Sequence, residues 1–424
     1  MGKGTEKSVG GRSAGAGLRA ITLGGMVRRL IRWPVYGLSA LLVAMNACVH
    51  HRPDYRPMEG VWPNEDLIQQ VEFLETALRG GAAAEMQSLY PEGRLFMNAI
   101  SRLAADAVPI YRWNYTHRET ARDTADRYLF PADLPLRYGA FYRGWRQYAF
   151  RNDDSIVEDV AQALQRSSTP FLESYHRSAW PADMVVLMAS LQPRHPLPGS
   201  DDLGRRRYVD SLRQHWVAAV RTRLDPRTGM IPHAVDPTNG HQLEGPRGSS
   251  MALMVCLLPE IDTAFARQQY ALFKQHFLTD RIGFPAFREY PRGTQGRGDV
   301  DSGPVVWGVG AVASIVGQRA CGLYGDYGEF IGLRGAIQAF GLATTWRGKR
   351  QYLMGQLPIV DAFTAWANSV DAYRGPIDQT RITWVPWTFH GLSLLIWLFL
   401  FWIGYRTLPP AAHGSRATHP VTRP

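Results

Sequence analysis

The chain has 424 residues, 45% of them hydrophobic, and a formal net charge of +10, long enough for one large core or two smaller ones. The charge is uneven: seven basic residues against Glu6 precede Pro34, and three arginines with no acid follow Tyr405, so the stretch between is almost neutral. That distribution excludes a basic groove for phosphates, and with it nucleic acid as a partner.

Residues 1–32, rich in glycine, serine and basic side chains, predict a disordered cytoplasmic leader. The apolar run 33–49, from Trp33 to Val49, predicts a signal anchor or transmembrane helix, with cleavage or lipidation at Cys48 as the other outcomes. His50 and His51 have no partners at ligand spacing, so no metal is predicted, and no other cofactor. In 65–81, Leu67, Ile68, Val71, Leu74 and Leu78 form one helical stripe that Gly80–Gly81 ends. RRRYVDSLRQHWVAAVRTRL repeats apolar residues at Tyr208, Leu212, Trp216 and Val220, and DTAFARQQYALFKQHFL does so at Phe265, Leu272, Phe273 and Phe277. Between these lie segments apolar on every side: 184–191, 249–258, 304–317 and 357–370. The region 384–405 predicts a second transmembrane helix, since Trp387 to Tyr405 carries no formal charge and has about the ~20 residues a bilayer requires. A cytoplasmic tail, 406–424, follows. Basic flanks held inside at both ends put the 52–380 domain on the extracytoplasmic side of the cytoplasmic membrane.

A helix apolar all round is buried all round. Alternation of such helices with two-faced ones predicts an all-α fold, an (α/α)6-type toroid of helical hairpins over 52–380 whose inner ring lines a funnel, with transmembrane helices at both ends. A weak internal repeat agrees. Gly229 and Gly283 each open a short extended piece, a long polar loop and a buried helix, about 54 residues apart. Cys256 and Cys321, one in each buried segment, are either a disulfide or buried thiols, and their apolar surroundings favour thiols.

The run LDPRTGMIPHAVDPTNG, the buried helix after it, DTAFARQQYALFKQHFL, and the loop from Arg288–Glu289 through GDVDSG together resemble the linalool dehydratase/isomerase family, an α/α-toroid group. The likeness spans about residues 170–325. It implies loss of water from, or rearrangement of, a hydroxylated small molecule. Of the family's pocket residues Glu173 is matched, while the two pocket cysteines fall at Leu172 and near Pro181, where this chain has no thiol.

Acid–base work then rests on carboxylates and histidine. In GDVDSGPVV, Pro304 is expected in the first turn of a buried helix, which puts Asp299 and Asp301 at its partially positive end. Asp183 stands likewise behind Trp180–Pro181. His233 follows a proline in an extended piece and is the expected proton shuttle. Asp183, His233, Glu289 and Asp301 are therefore the catalytic candidates. Glu173, Trp180, Asp236, Glu244, Arg247, Arg288, Tyr290 and Asp299 are the substrate-binding ones, the arginines as partners for carboxylates or an anionic group. Each also has a plain structural reading as a cap or loop anchor. The glycines at 296, 298 and 303 follow no strand of a β–α–β unit and form no dinucleotide cradle. Three functions stay open: a lyase/isomerase acting on a hydroxylated lipid or terpenoid, a hydrolase or lyase acting on envelope glycan, and a non-catalytic envelope-binding module. Oligomeric state is not legible.

Overall fold

The computed structural model describes residues 23–90, 92–109, 137–150, 155–191, 203–300, 302–373 and 384–406; most of the predicted leader, the tail from 407, and Asp301 lie outside them. The chain divides into two units, Met45–His390 and one made of its two ends, Met1–Ala44 with Gly391–Pro424. Among the described residues the fold is mostly helical. Its helices are α1 (Leu23–Val49), α2 (Glu65–Arg79), α3 (Ala82–Leu89), α4 (Gly93–Ala105), α5 (Ala140–Phe150), α6 (Ile156–Arg166), α7 (Pro181–Ser190), α8 (Leu203–Arg221), α9 (Gly248–Leu257), α10 (Thr263–Phe277), α11 (Ala311–Tyr324), α12 (Tyr327–Phe340), α13 (Pro358–Asn368) and α14 (Trp387–Arg406).

Within Met45–His390, α4 packs on α5, α5 on α7, α7 on α9, α9 on α11, α11 on α13, and α13 returns to α4. Six helices thus close a ring. The sequence explains the ring's membership: every residue of α7 is buried, as are most of α9 and α13, because a segment without a polar face has nothing to offer solvent. Two-faced helices flank the ring, α2 against α4 and α13, α10 against α9, and α12 against α11. Outer helices also finish the inner ones. Buried Arg213 of α8 donates to the carbonyls of Met188 and Ala189 at the end of α7, at 2.9–3.0 Å, supplying partners that a helix C-terminus lacks.

Asn64 caps α2 by accepting from the Leu67 N–H at 2.8 Å, and Leu67, Val71 and Leu74 are buried, as the stripe requires. In α8 the expected stripe is displaced: Tyr208 is exposed, and Val209, Arg213, Trp216, Val217 and Val220 are buried, since the Arg213 guanidinium is needed inside. Cys256 and Cys321 are buried free thiols, both pushed up to about 12 by burial.

The all-helical expectation is corrected by four two-stranded hairpins: β1 (Ala234–Val235) with β2 (Gln242–Glu244), β3 (Leu278–Arg281) with β4 (Phe284–Phe287), β5 (Val305–Val306) with β6 (Val309–Gly310), and β7 (Thr344–Trp346) with β8 (Lys349–Gln351). The last three turn on Ile282–Gly283, Trp307–Gly308 and Arg347–Gly348, each pair with both φ positive, the backbone that lets a two-residue loop match strand twist. The β5–β6 hairpin also corrects the reading of Pro304. Hydrophobicity alone ran 304–317 into one helix, whereas α11 begins at Ala311, so Pro304 is not in its first turn. The loop still folds back over the helix mouth, where the Pro304 carbonyl accepts from the Ala311 N–H at 3.4 Å.

Among the described residues only α14 is long and apolar enough to cross a membrane. The N-terminal run lies in α1, which is long enough and holds Pro34 inside it, but α1 is not among the helices apolar enough to cross a membrane, so a second span is not shown.

Candidate functional site

One cavity of about 1020 Å³ opens where the six ring helices begin. Each helix lends it only the residue before its start or its first two turns: Glu92 and Phe96 at α4, Phe141 at α5, Trp180 and Asp183 at α7, Arg247, Ser249 and Ser250 at α9, Ala311 to Val316 at α11, and Leu357 to Phe363 at α13. The six helices therefore point the same end at one space. Helix N-termini carry partial positive charge and unsatisfied N–H groups, so this floor favours carboxylates and oxyanions. Ile282, Phe284, Leu333, Ile337 and Phe340 make the remaining wall apolar.

Arg247 organises one side of the floor. Its Nε donates to Glu289 Oε1 at 3.0 Å, its Nη1 donates to Asp299 Oδ2, and Glu244 Oε1 stands 3.8 Å from Nε. Arg247 is buried, and its Nη2 has no hydrogen-bond partner among the described residues. Burial opposes the guanidinium charge, but the Asp299 hydrogen bond and the Glu289 charge outweigh it and hold the proton more tightly than usual. Asp299 suffers burial too, yet the hydrogen bonds from Arg247 and Ser302 keep its carboxyl well below the ordinary range. Its ionisation thus comes from Arg247 and Ser302.

Glu289 is fully buried behind Arg247 and Ser249 and does not line the cavity. It accepts from Ser249 Oγ at 2.7 Å and from the Ser249 N–H at 3.2 Å. Burial raises it to about 7 against those bonds and Arg247. His233 lines the cavity with Nδ1 2.5 Å from Ser250 Oγ. Burial, then repulsion by Arg247, lowers it to about 4, so the ring is neutral at pH 7 and able to accept a proton only from a strong acid.

A second carboxylate group stands at α4 and α7, the latter being α9's neighbour in the ring. Glu92 and Asp183 are both buried and both line the cavity. Tyr142 feels both: burial first, then the Glu92 and Asp183 charges, push its hydroxyl up to about 12. Glu92 Oε1 accepts from the Tyr175 hydroxyl, and Glu92 Oε2 is buried without a partner among the described residues. Tyr175 lies against Trp180, ring centres 4.7 Å apart, which fixes both at the cavity edge.

Of the residues singled out from sequence, the fold brings Trp180, Asp183, His233, Glu244, Arg247 and Asp299 to the cavity, with Glu289 directly beneath. Four are elsewhere. Glu173 is buried and accepts the Arg137, Tyr138 and Arg177 N–H groups at 2.5–3.0 Å, fixing the approach to α5. Asp236 accepts from Thr238 and Asn239 inside its own loop. Arg288 donates to the Tyr290 and Thr294 carbonyls, and the Tyr290 hydroxyl donates to the Arg297 carbonyl at 2.7 Å. These four shape loops because their polar atoms are spent on groups close by in the chain. Asp301 lies outside the described residues. Glu92, Tyr142, Tyr175, Ser249 and Ser250 were missed as site residues. A signal for Glu92 existed: YPEGR sets an acid after a proline at the start of a helix, as WPAD does.

Gly248 sets the spacing of the floor. Its N–H donates to the Glu289 carbonyl at 2.8 Å, and a Cβ there would lie 1.9 Å from the Arg288 carbonyl oxygen. Gly248→Ala is expected to cost about 1–3 kcal/mol and to separate Arg247 from Glu289, read as a lowered melting temperature.

No protein-family model matches the chain, and no curated protein matches it. The resemblance to the linalool dehydratase/isomerase family therefore finds no counterpart there. A family 76 glycoside hydrolase from a bovine Bacteroides thetaiotaomicron strain aligns over 78% of this chain and 77% of its own, at 12% identity and a TM-score of 0.31. A likeness that slight decides neither fold nor activity.

Proposed function

We propose that the ring of six helices with its outer partners is an (α/α)6 toroid, and that the domain is a membrane-anchored acid–base enzyme that breaks a C–O bond. Its substrate in this reading is a hydroxylated lipid or terpenoid, and its reaction a dehydration or isomerisation. The observation that carries the reading is the cavity itself: a space of about 1020 Å³, mostly apolar, whose two buried carboxyls, Glu92 and Asp183, stand where helices begin. Such a site suits a molecule with a greasy body and one polar end.

Asp183 at α7 and Glu92 just before α4 face the cavity from either side of α5 and are the catalytic pair of this reading. One carboxyl delivers its proton to the departing hydroxyl, which leaves as water. The other carboxylate removes a proton from the neighbouring carbon as the C=C bond forms. Rearrangement follows if water returns to a different carbon. Arg247 serves as an anchor, its free Nη2 available to the substrate's oxygen while Glu289 and Asp299 hold its other nitrogens. Anchoring by α14, with basic flanks on the cytoplasmic side, would hold the domain outside the cytoplasmic membrane.

A second reading, a glycan-active enzyme, is favoured by one observation: Trp180 and Trp307 both line the cavity, and Trp307 is 72% exposed, as a sugar platform at a mouth would be. The same carboxyl pair would then act across a glycosidic bond. The experiment is turnover by the full chain in detergent against prenols and envelope oligosaccharides, with Asp183→Asn as control. Loss of water from a prenol, abolished by Asp183→Asn, supports the first reading. Release of reducing sugar supports the second, and tight binding without product from either supports a binding module.

A further inference from the structure

The strongest unexplained feature outside the floor is the mouth of the cavity. Val300, Val306, Trp307 and Phe340 line it and are nevertheless about half or more exposed, 48–72%. Trp346, 71% exposed, sits at the tip of β7–β8, whose two feet at Gly341 and Tyr352 also line the cavity. Met354, next to the lining residue Leu353, is 66% exposed. Large apolar side chains exposed around one opening mark a contact surface.

The fold holds these groups out at some cost. Trp307 occupies a left-handed backbone, φ +52°, at a turn position where asparagine or glycine is usual, and Ile282 does the same at the adjoining hairpin. Each exposed tryptophan has a cation behind it. The Arg281 guanidinium donates to the Trp307 carbonyl at 3.2 Å, and the Arg347 guanidinium lies 5.8 Å from the Trp346 ring centre. Tryptophan backed by arginine is the pairing found at the boundary of bilayer and water.

What covers the mouth is indicated by the base of α14, the helix apolar enough to span a membrane. Pro386 lies against Gly283, and Phe389 packs edge-on against Phe284 and Phe340, ring centres 5.1 and 6.0 Å apart. Phe284 and Phe340 are cavity-lining residues. The chain therefore leaves this domain for the rest of α14 beside two residues of the cavity wall.

We propose that the cavity mouth is a membrane-docking surface: Val306, Trp307, Trp346 and Met354 enter the headgroup layer of an anionic bilayer, and the cavity takes its substrate directly from the lipid phase. The substrate class then narrows to alcohols resident in the bilayer. This second step rests on the reading of the site given above, while the docking surface does not.

The test is a depth measurement, which requires no turnover. The full chain carrying Cys48→Ser and Trp307→Cys, spin-labelled at position 307, is placed in vesicles of phosphatidylcholine and phosphatidylglycerol; Cys256 and Cys321 are buried and stay unlabelled. The same label at position 208, exposed on α8, is the aqueous control. Docking predicts that the ratio of oxygen to nickel-chelate collisions at 307 is several-fold that at 208. A label at 307 as accessible to nickel as the control overturns the proposal, as does spin–spin broadening that shows a second copy of the chain on the mouth. Should Trp307→Cys not fold, Val300→Cys supplies the same reading. Immersion without turnover of any alcohol would leave the docking surface standing and remove the proposed chemistry.

Discussion

Asp183→Asn and Glu92→Gln are each expected to lower turnover about 10²–10⁴-fold, the range that general acid–base catalysis supplies. Both side chains are buried, both line the cavity, and both act on Tyr142. Two groups that work as one unit lose little more when both are removed. The double variant should therefore fall no further than the worse single one. Each replacement keeps shape and hydrogen-bonding atoms, so circular dichroism and melting temperature should stay near those of the parent. Undiminished turnover in either variant removes that carboxyl from the reaction.

The second large effect is on stability and its dependence on pH. Glu289 titrates at about 7 in the folded protein against 4.5 ordinarily. The folded state binds the extra proton, so this group's contribution is complete below 4.5 and declines as pH rises through about 7. His233 moves oppositely, to about 4 from 6.5. Its contribution is complete above 6.5 and is lost as pH falls through about 4. Between pH 4.5 and 6.5 the two slopes, each about 1.4 kcal/mol per pH unit, oppose each other, while buried Asp361, pushed up to about 8, adds the same fall with pH to parent and variants alike. Relative to the parent, Glu289→Gln should therefore tilt stability upward with pH across that window, and His233→Gln should tilt it downward. Two variants with the parent's slope would mean that neither group titrates as its surroundings imply. Arg247→Met is harsher, since it strands Glu289 without its counter-charge, at about 3–5 kcal/mol for a buried pair broken on one side. That loss should shrink at acid pH, where Glu289 is protonated.

Much of the scaffold was legible because burial leaves a strong mark on sequence. The segments that became α7, α9 and α13 are apolar on every side, and no arrangement but an interior one suits them. The stripe of α2 and the run that became α14 were readable for the same reason. Segment 304–317 misled, since Val305 to Val309 is equally apolar as strand or as buried helix, and the decision fell to the Trp307–Gly308 turn.

The candidate site divides along the same line. Local sequence placed Asp183, His233, Arg247 and Asp299 just ahead of, or at the start of, buried segments, because an apolar rod that ends inside a domain needs polar groups at its end. Which of those ends meet is a matter of ring closure. Glu92 and Asp183 are about ninety residues apart and share a cavity because α4 and α7 both pack on α5. Glu173 and Asp236, similar in sequence context, were turned to backbone N–H groups by the loops they occupy. Composition and hydropathy determined that the chain has a helical core and a terminal helix fit for a bilayer. Tertiary packing decided which polar side chains face the common space, since that depends on contacts between segments that carry no mark of one another.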